Sequence, residues 1–222
     1  MPVHPNKLLV EGRRDLWVIP ELMESNGVAW PDDNRPVQIE PRGGVEELLK
    51  PAVIANEMKA SGLLALGIVL DADQDAKNRW KQVVNCFQRA NVAIPPNANE
   101  RGWIGSGPRG IRVGIWMMPD NINPGMIETF LGKLIPDDFT ELWNFAGNST
   151  DTARKHQADF KDAHFDKAKL HAWLAWRDEP GSQLHEAVNL NRPKLLRADA
   201  PAAQPFVEWF CRMFNLSRAE SP

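Results

Sequence analysis

The 222-residue sequence has no tyrosine, only two cysteines and no long apolar run. Without tyrosine, no mechanism that holds a substrate on a phenolic oxygen can operate. Cys86 and Cys211 are far apart, and two thiols build neither a multi-disulfide framework nor a four-cysteine zinc ribbon. No segment approaches the ~20 apolar residues of a membrane span. The opening MPVHPNKLLVEG also lacks the apolar core of a secretory leader, so a cytoplasmic protein with no membrane partner is expected. A GxxxxGK[ST] nucleotide loop is missing, and Gly105-Ser106-Gly107-Pro108 is no substitute. An excess of positive charge is missing too. The net charge of -3 excludes a generic basic coat for nucleic acid and leaves room only for a local basic groove. No internal repeat or low-complexity tract occurs.

What is present is the composition of a globular protein, 43% hydrophobic and 25% charged, with nine Trp expected mostly in the core. Lys7 to Val10 reads as a short buried strand, and Arg13 to Ser25 as a helix with Pro20 inside it. Val37 to Glu40 alternates as a strand, and Val45 to Ala60 reads as a helix with a break at Pro51. Leu63 to Leu70, LLALGIVL, has the length and apolarity of a central strand covered on both faces. A helix from Lys77 to Arg89, a short strand near Trp103-Ile104, a strand from Ile111 to Met118 and a helix from Pro124 to Leu134 follow. Beyond Asp137 the pattern is helical only, at Phe139 to Phe145, Lys167 to Trp176, Gln183 to Val188 and Phe206 to Phe214. Alternating strands and helices predict an α/β fold with a mostly parallel sheet over residues 1–135. Residues 136–222 are expected to form a helical cap or subdomain.

The chemistry gathers at strand ends, where open parallel sheets bind their ligands. Glu11, the Asp71/Asp73 pair and Asp120 all follow predicted strands. Asp15 falls in the first turn of the following helix, where the helix dipole favours a carboxylate, and Glu128 lies early in the helix after the last strand. Several carboxylates in one pocket repel and raise one another's pKa values, and a divalent cation relieves that repulsion. All-oxygen ligands suit Mg²⁺ or Mn²⁺. Asp75 fits a helix cap and Asp120 a turn. Lys7, Arg13, Arg14, Lys77, Arg79 and the lysines from Lys161 to Lys169 are the cations available to face a phosphate. Arg101, Arg109 and Arg112 flank Trp103 in a Gly-rich stretch and would suit a phosphate groove with a stacking base. The five His form no zinc pattern. An EF-hand reading of Asp71-Ala72-Asp73-Gln74-Asp75 fails, because Ala76 and Gln82 stand where Gly and Glu are required.

Leu8-Leu9-Val10-Glu11-Gly12 and Ile68-Val69-Leu70-Asp71-Ala72-Asp73, in that order, resemble the signature Glu and DxD of the Toprim superfamily. Met118-Pro119-Asp120-Asn121, with Gly125 and Glu128, resembles a small uncharacterised bacterial family related to Toprim. OLD-type (overcoming lysogenization defect) nucleases place a second acid four residues after the first Glu, and Asp15 stands there. The resemblance covers roughly residues 5–134. It implies a Toprim-like, Rossmann-like sheet and an Mg²⁺- or Mn²⁺-dependent nuclease cutting DNA or RNA. Glu11, Asp71 and Asp73 would be catalytic, with Asp15 and Glu128 completing the metal ligands. A separately encoded ATPase partner and an oligomer are also compatible with it. Two alternatives stay open: a non-catalytic Toprim-like binding subunit, and a haloacid-dehalogenase-like phosphohydrolase. That family also joins DxD to an apolar strand, but usually its first, and with Thr or Val where Asp75 stands.

Overall fold

The computed structural model describes residues 4–189 and 195–219. The strands are β1 (Asn6–Val10), β2 (Gln38–Pro41), β3 (Ala65–Asp71), β4 (Trp103–Ser106) and β5 (Arg112–Met118). The helices of the first part are α1 (Asp15–Glu24), α2 (Val45–Leu48), α3 (Pro51–Lys59), α4 (Ala76–Arg89) and α5 (Ile127–Gly132). The second part supplies α6 (Thr140–Lys155), α7 (Phe165–Ala175), α8 (Leu184–Val188) and α9 (Gln204–Phe214).

The strands form one sheet in the order β2-β1-β3-β5-β4. Only the β4–β5 pairing is antiparallel. The fold is therefore α/β with a mostly parallel sheet, as the alternation predicted, and is Rossmann-like. Successive strand residues face opposite sides, and both sides are apolar. Leu8, Val10, Val69 and Trp116 face α1, α5 and α9, whereas Leu9, Ile68, Leu70 and Ile115 face α3 and α4. This double cover explains the uninterrupted apolar run at β3. The break at Pro51 is real: Pro51 opens α3 in its first turn, where a missing N–H costs no hydrogen bond.

The helices beyond residue 136 share the core of the first part. Phe206, Trp209, Phe210, Met213 and Phe214 of α9 and Leu170 and Trp173 of α7 join Leu8, Val69 and Trp116 in one buried cluster. Gly67 makes this approach possible. A Cβ there would lie 2.7 Å from the Phe214 ring and 2.8 Å from Leu8. Two helices differ from the expectation. α6 runs ten residues past Phe145 with only Ala146 and Thr150 buried, so no apolar stripe marks it. α5 begins at Ile127 because Asn123 to Met126 form the loop that reaches the site below. Among the described residues no helix is long and apolar enough to cross a membrane.

Candidate functional site

β1 and β3 run parallel with Val10 opposite Val69, so their carboxyl ends meet. Glu11, one residue beyond β1, accepts a hydrogen bond on Oε2 from the Asp71 amide at 3.3 Å. The chain then turns. Ala72 N–H donates to the Met118 carbonyl at 3.0 Å. Asp73, in the left-handed region at φ 52°, exchanges two backbone hydrogen bonds with Gly125. Aspartate is among the few residues that tolerate that conformation. Gly125 has φ 138° and lies so close to Thr129 that a Cβ would come within 2.7 Å of its hydroxyl. This bridge ties the DxD turn to the loop after β5. It delivers the Ile127 N–H to Asp71 Oδ1 at 3.0 Å and sets Glu128 in the first turn of α5. Asp15 opens α1, and its Oδ2 accepts from Gly12 N–H at 2.8 Å.

The five carboxylates therefore form one electrostatic cluster centred on Asp71. Burial raises the Asp71 pKa well above the ordinary range, and the charges of Glu11, Asp15, Glu128 and Asp73 add to it. Burial likewise pushes Asp15 up to about 7, helped by Glu11 and Glu128 and opposed by the Gly12 N–H. Glu11 is raised by burial and by Asp73, against the Asp71 N–H and Arg79. Asp15 and Glu128 are buried, while Glu11, Asp71 and Asp73 remain partly accessible.

Two of the expected cations meet this cluster. Arg79 of α4 pairs with Asp73, and Arg14 pairs with Glu128 at 3.1 Å. Lys7 does not: it sits in the sheet, bonded to Glu57 at 2.9 Å and Glu40 at 3.0 Å, in a network closed by Arg42. Arg13 and Lys77 are exposed and ion-pair with none of the described residues. Arg109 and Arg112, expected beside a phosphate groove, lie away from the carboxylates. Arg109 donates to the Met58 and Ala60 carbonyls, and Arg112 to the Met213 carbonyl at 3.2 Å. Both hold chain segments at the end of β5 opposite the carboxylates. Trp103 packs into the core, and its carbonyl accepts from Trp209 Nε1. Arg101 stays exposed near the start of β4.

Asp75 caps α4, accepting from Asn78 N–H at 2.9 Å. Asp120 is a turn residue. Burial would raise its pKa, but Lys133, Asn123 and two backbone N–H groups outweigh that and bring it to about 2. Among the expected lysines, Lys169 lies over the Trp143 ring at 3.8 Å, and Lys167 lies within electrostatic reach of His171.

The residues that sequence reasoning missed come from α7. His171 lies within electrostatic reach of Arg14, Glu128 and Lys167, and burial and Arg14 lower its pKa. Its Nε2 is buried without a hydrogen-bond partner. Thr129 accepts from the Met126 N–H and donates to Asp166 of α7 at 2.6 Å, which pins the site's helix to the C-terminal part. No local motif marks these contacts.

The donor set fits a hard divalent cation in kind: carboxylate oxygens, raised pKa values and mutual repulsion. It does not converge as it stands. Among the described residues no three His, Cys, Asp or Glu side chains are arranged to hold a metal. Each acid has a protein donor: Asp71 the Ile127 N–H, Asp15 the Gly12 N–H, Glu11 the Asp71 N–H, Asp73 and Glu128 their arginines. Ligation by Glu11, Asp71 and Asp73 would compete with the Asp73–Arg79 pair.

A family model described as a protein of unknown function, DUF3226, matches residues 5–215. No curated protein and no solved structure matches the chain.

Proposed function

The chain belongs to the DUF3226 family, and we propose that it is an Mg²⁺- or Mn²⁺-dependent nuclease whose site is the carboxylate cluster around Asp71. One observation carries the reading. Five acids from three separate stretches of the sequence are gathered at the carboxyl ends of the central strands, with two arginines against them. Such a concentration of like charge destabilises the protein unless something cationic resolves it. The ordered Glu11 and Asp71-x-Asp73 motifs, on adjacent parallel strands, agree with the Toprim and OLD-type resemblance.

Glu11, Asp71 and Asp73 would hold the cation, with Asp15 and Glu128 behind them. A bound divalent ion supplies phosphate charge neutralisation and a water of lowered pKa. The chain's own groups do the rest. Arg79 and Arg14 face the charge that builds on the phosphate oxygens as the leaving oxygen departs. The Ile127 N–H holds Asp71 in orientation, and the Asp73–Gly125 bridge fixes the turn that presents both aspartates. A DNA or RNA phosphodiester is the substrate class; the partner ATPase remains part of the same proposal.

A second reading is favoured by a specific observation: every acid is already satisfied by a protein donor, as in a self-contained structural network. In that case the chain is a non-catalytic binding subunit. Incubation of the purified protein with single- and double-stranded DNA and RNA in Mn²⁺ or Mg²⁺ decides between them. The nuclease reading expects cleavage that EDTA stops and that Glu11→Gln and Asp71→Asn each reduce more than ~100-fold, since even outer-sphere changes at metal sites cost 10–100-fold. Hydrolysis of p-nitrophenyl phosphate without nucleic-acid cleavage would instead indicate a small-ester phosphohydrolase.

A further inference from the structure

α4 leaves the candidate site directly. Its cap, Asp75, lies two residues after Asp73, and its first-turn neighbour Arg79 pairs with Asp73. Over Ala76–Arg89 the helix carries Lys77, Arg79, Lys81 and Arg89 and no acid, within a chain whose net charge is -3. Its buried stripe is Trp80, Val83, Cys86 and Phe87. Its exposed face is made of Lys77, Asn78, Lys81, Gln82, Asn85, Gln88 and Arg89, cations and amides only. Lys77, Lys81 and Arg89 form no ion pair among the described residues. In a chain of net charge -3 this face is a local excess of positive charge.

Both flanks of α4 are concave. On one side a cleft of about 610 Å³ separates it from α2 and α3. Arg79, Gln82, Asn85 and Arg89 line it, together with one acid, Glu46. Its lining includes Val45 and Arg79, whose backbone N–H and guanidinium act on Glu11. On the other side a cleft of about 280 Å³ is lined by Lys77, Trp80, Lys81, Asn97 and the exposed Ile122.

We propose that the exposed face of α4, with its two flanking clefts, is the track along which a nucleic-acid strand is held as it enters the carboxylate site. The proposal rests on the nuclease reading above for its direction and adds the surface that reading lacks. Cations suit phosphates, and side-chain amides hydrogen-bond phosphate, sugar and base edges. The mostly apolar cleft beside Ile122 and Lys81 suits an unstacked base. At ~1.5 Å per residue, the helix extends the contact ~21 Å from the site. This resolves how a protein of net negative charge captures a polyanion: through one local stripe.

The test uses the full-length protein in EDTA, which prevents cleavage, with a fluorescent single-stranded 20-mer read by anisotropy. The double reversal Lys81→Glu/Arg89→Glu is compared with Lys59→Glu/Lys155→Glu, which makes the same charge change on exposed residues outside α4. All four positions are exposed, and equal thermal midpoints verify the folds. The track predicts at least tenfold weaker binding for the α4 reversal and less than threefold for the control. It also predicts a salt dependence of log K shallower by about 1.4, two phosphate contacts at ~0.7 each. Equal losses in both variants, no binding by the unaltered protein, or equal displacement by polyglutamate of matched charge overturns it. The two proposals fail separately. Cleavage that needs Asp71 with no α4 effect on binding retires the track alone. Binding that needs α4 without cleavage in either metal supports the track and retires the nuclease.

Discussion

Asp15 shows most plainly what the cluster costs. Its pKa in the folded chain is about 7, against 3.8 for an unperturbed side chain. The folded state therefore holds its proton more tightly than the unfolded state, and stability is lost as pH rises from about 4 through 7. That rise corresponds to a ceiling of ~4 kcal/mol. Asp71 shifts in the same direction for the same reasons. Asp15→Asn removes the penalty and keeps an oxygen for the Gly12 N–H. In urea unfolding it is expected to match the unaltered protein near pH 4 and to exceed it at pH 8. A divalent cation competes with those protons, so Mg²⁺ or Mn²⁺ should raise the melting temperature more at pH 8 than at pH 6. A shift of equal size at both pH values would separate the ion from these carboxylates.

At the scale of elements, the close approach of α9 to the sheet depends on the bare backbone at Gly67. Gly67→Val forces Phe214 and Leu8 apart and is expected to cost about 1–3 kcal/mol of stability, measured by chemical denaturation. The strands and most helices were legible because their apolar rhythm is local: LLALGIVL marked β3, and Trp80, Val83 and Phe87 marked α4. The acids at the ends of β1 and β3 were legible for the same reason, since a strand end is visible in the chain. Long-range partners were not. Arg109 and Arg112 looked like phosphate ligands because their letters are cationic, yet the Met58 and Met213 carbonyls that hold them lie far away in sequence. His171 and the Thr129–Asp166 bond belong to α7, whose return to the site no spacing announces. The length of α6 was hidden by its polar faces.

At the scale of the whole molecule, the part after residue 136 completes the core that the sheet begins. α9 places Phe206, Trp209 and Phe210, all fully buried, against Trp116 and Phe130. A fragment ending at residue 135 would expose that face and is expected to lack a cooperative thermal transition. Trp209→Ala in the full chain should cost about 3–5 kcal/mol, the usual range for emptying a large aromatic site. The same packing carries Asp166 to Thr129 and His171 towards Glu128, so core and candidate site stand on one scaffold. The most direct measurement of the site is anomalous scattering from Mn²⁺ in crystals of the full-length protein. A manganese peak ligated by Glu11, Asp71 and Asp73, with Asp73 turned away from Arg79, is the predicted result. Crystals saturated in Mn²⁺ with no peak there, and Asp73 still paired to Arg79, would contradict it.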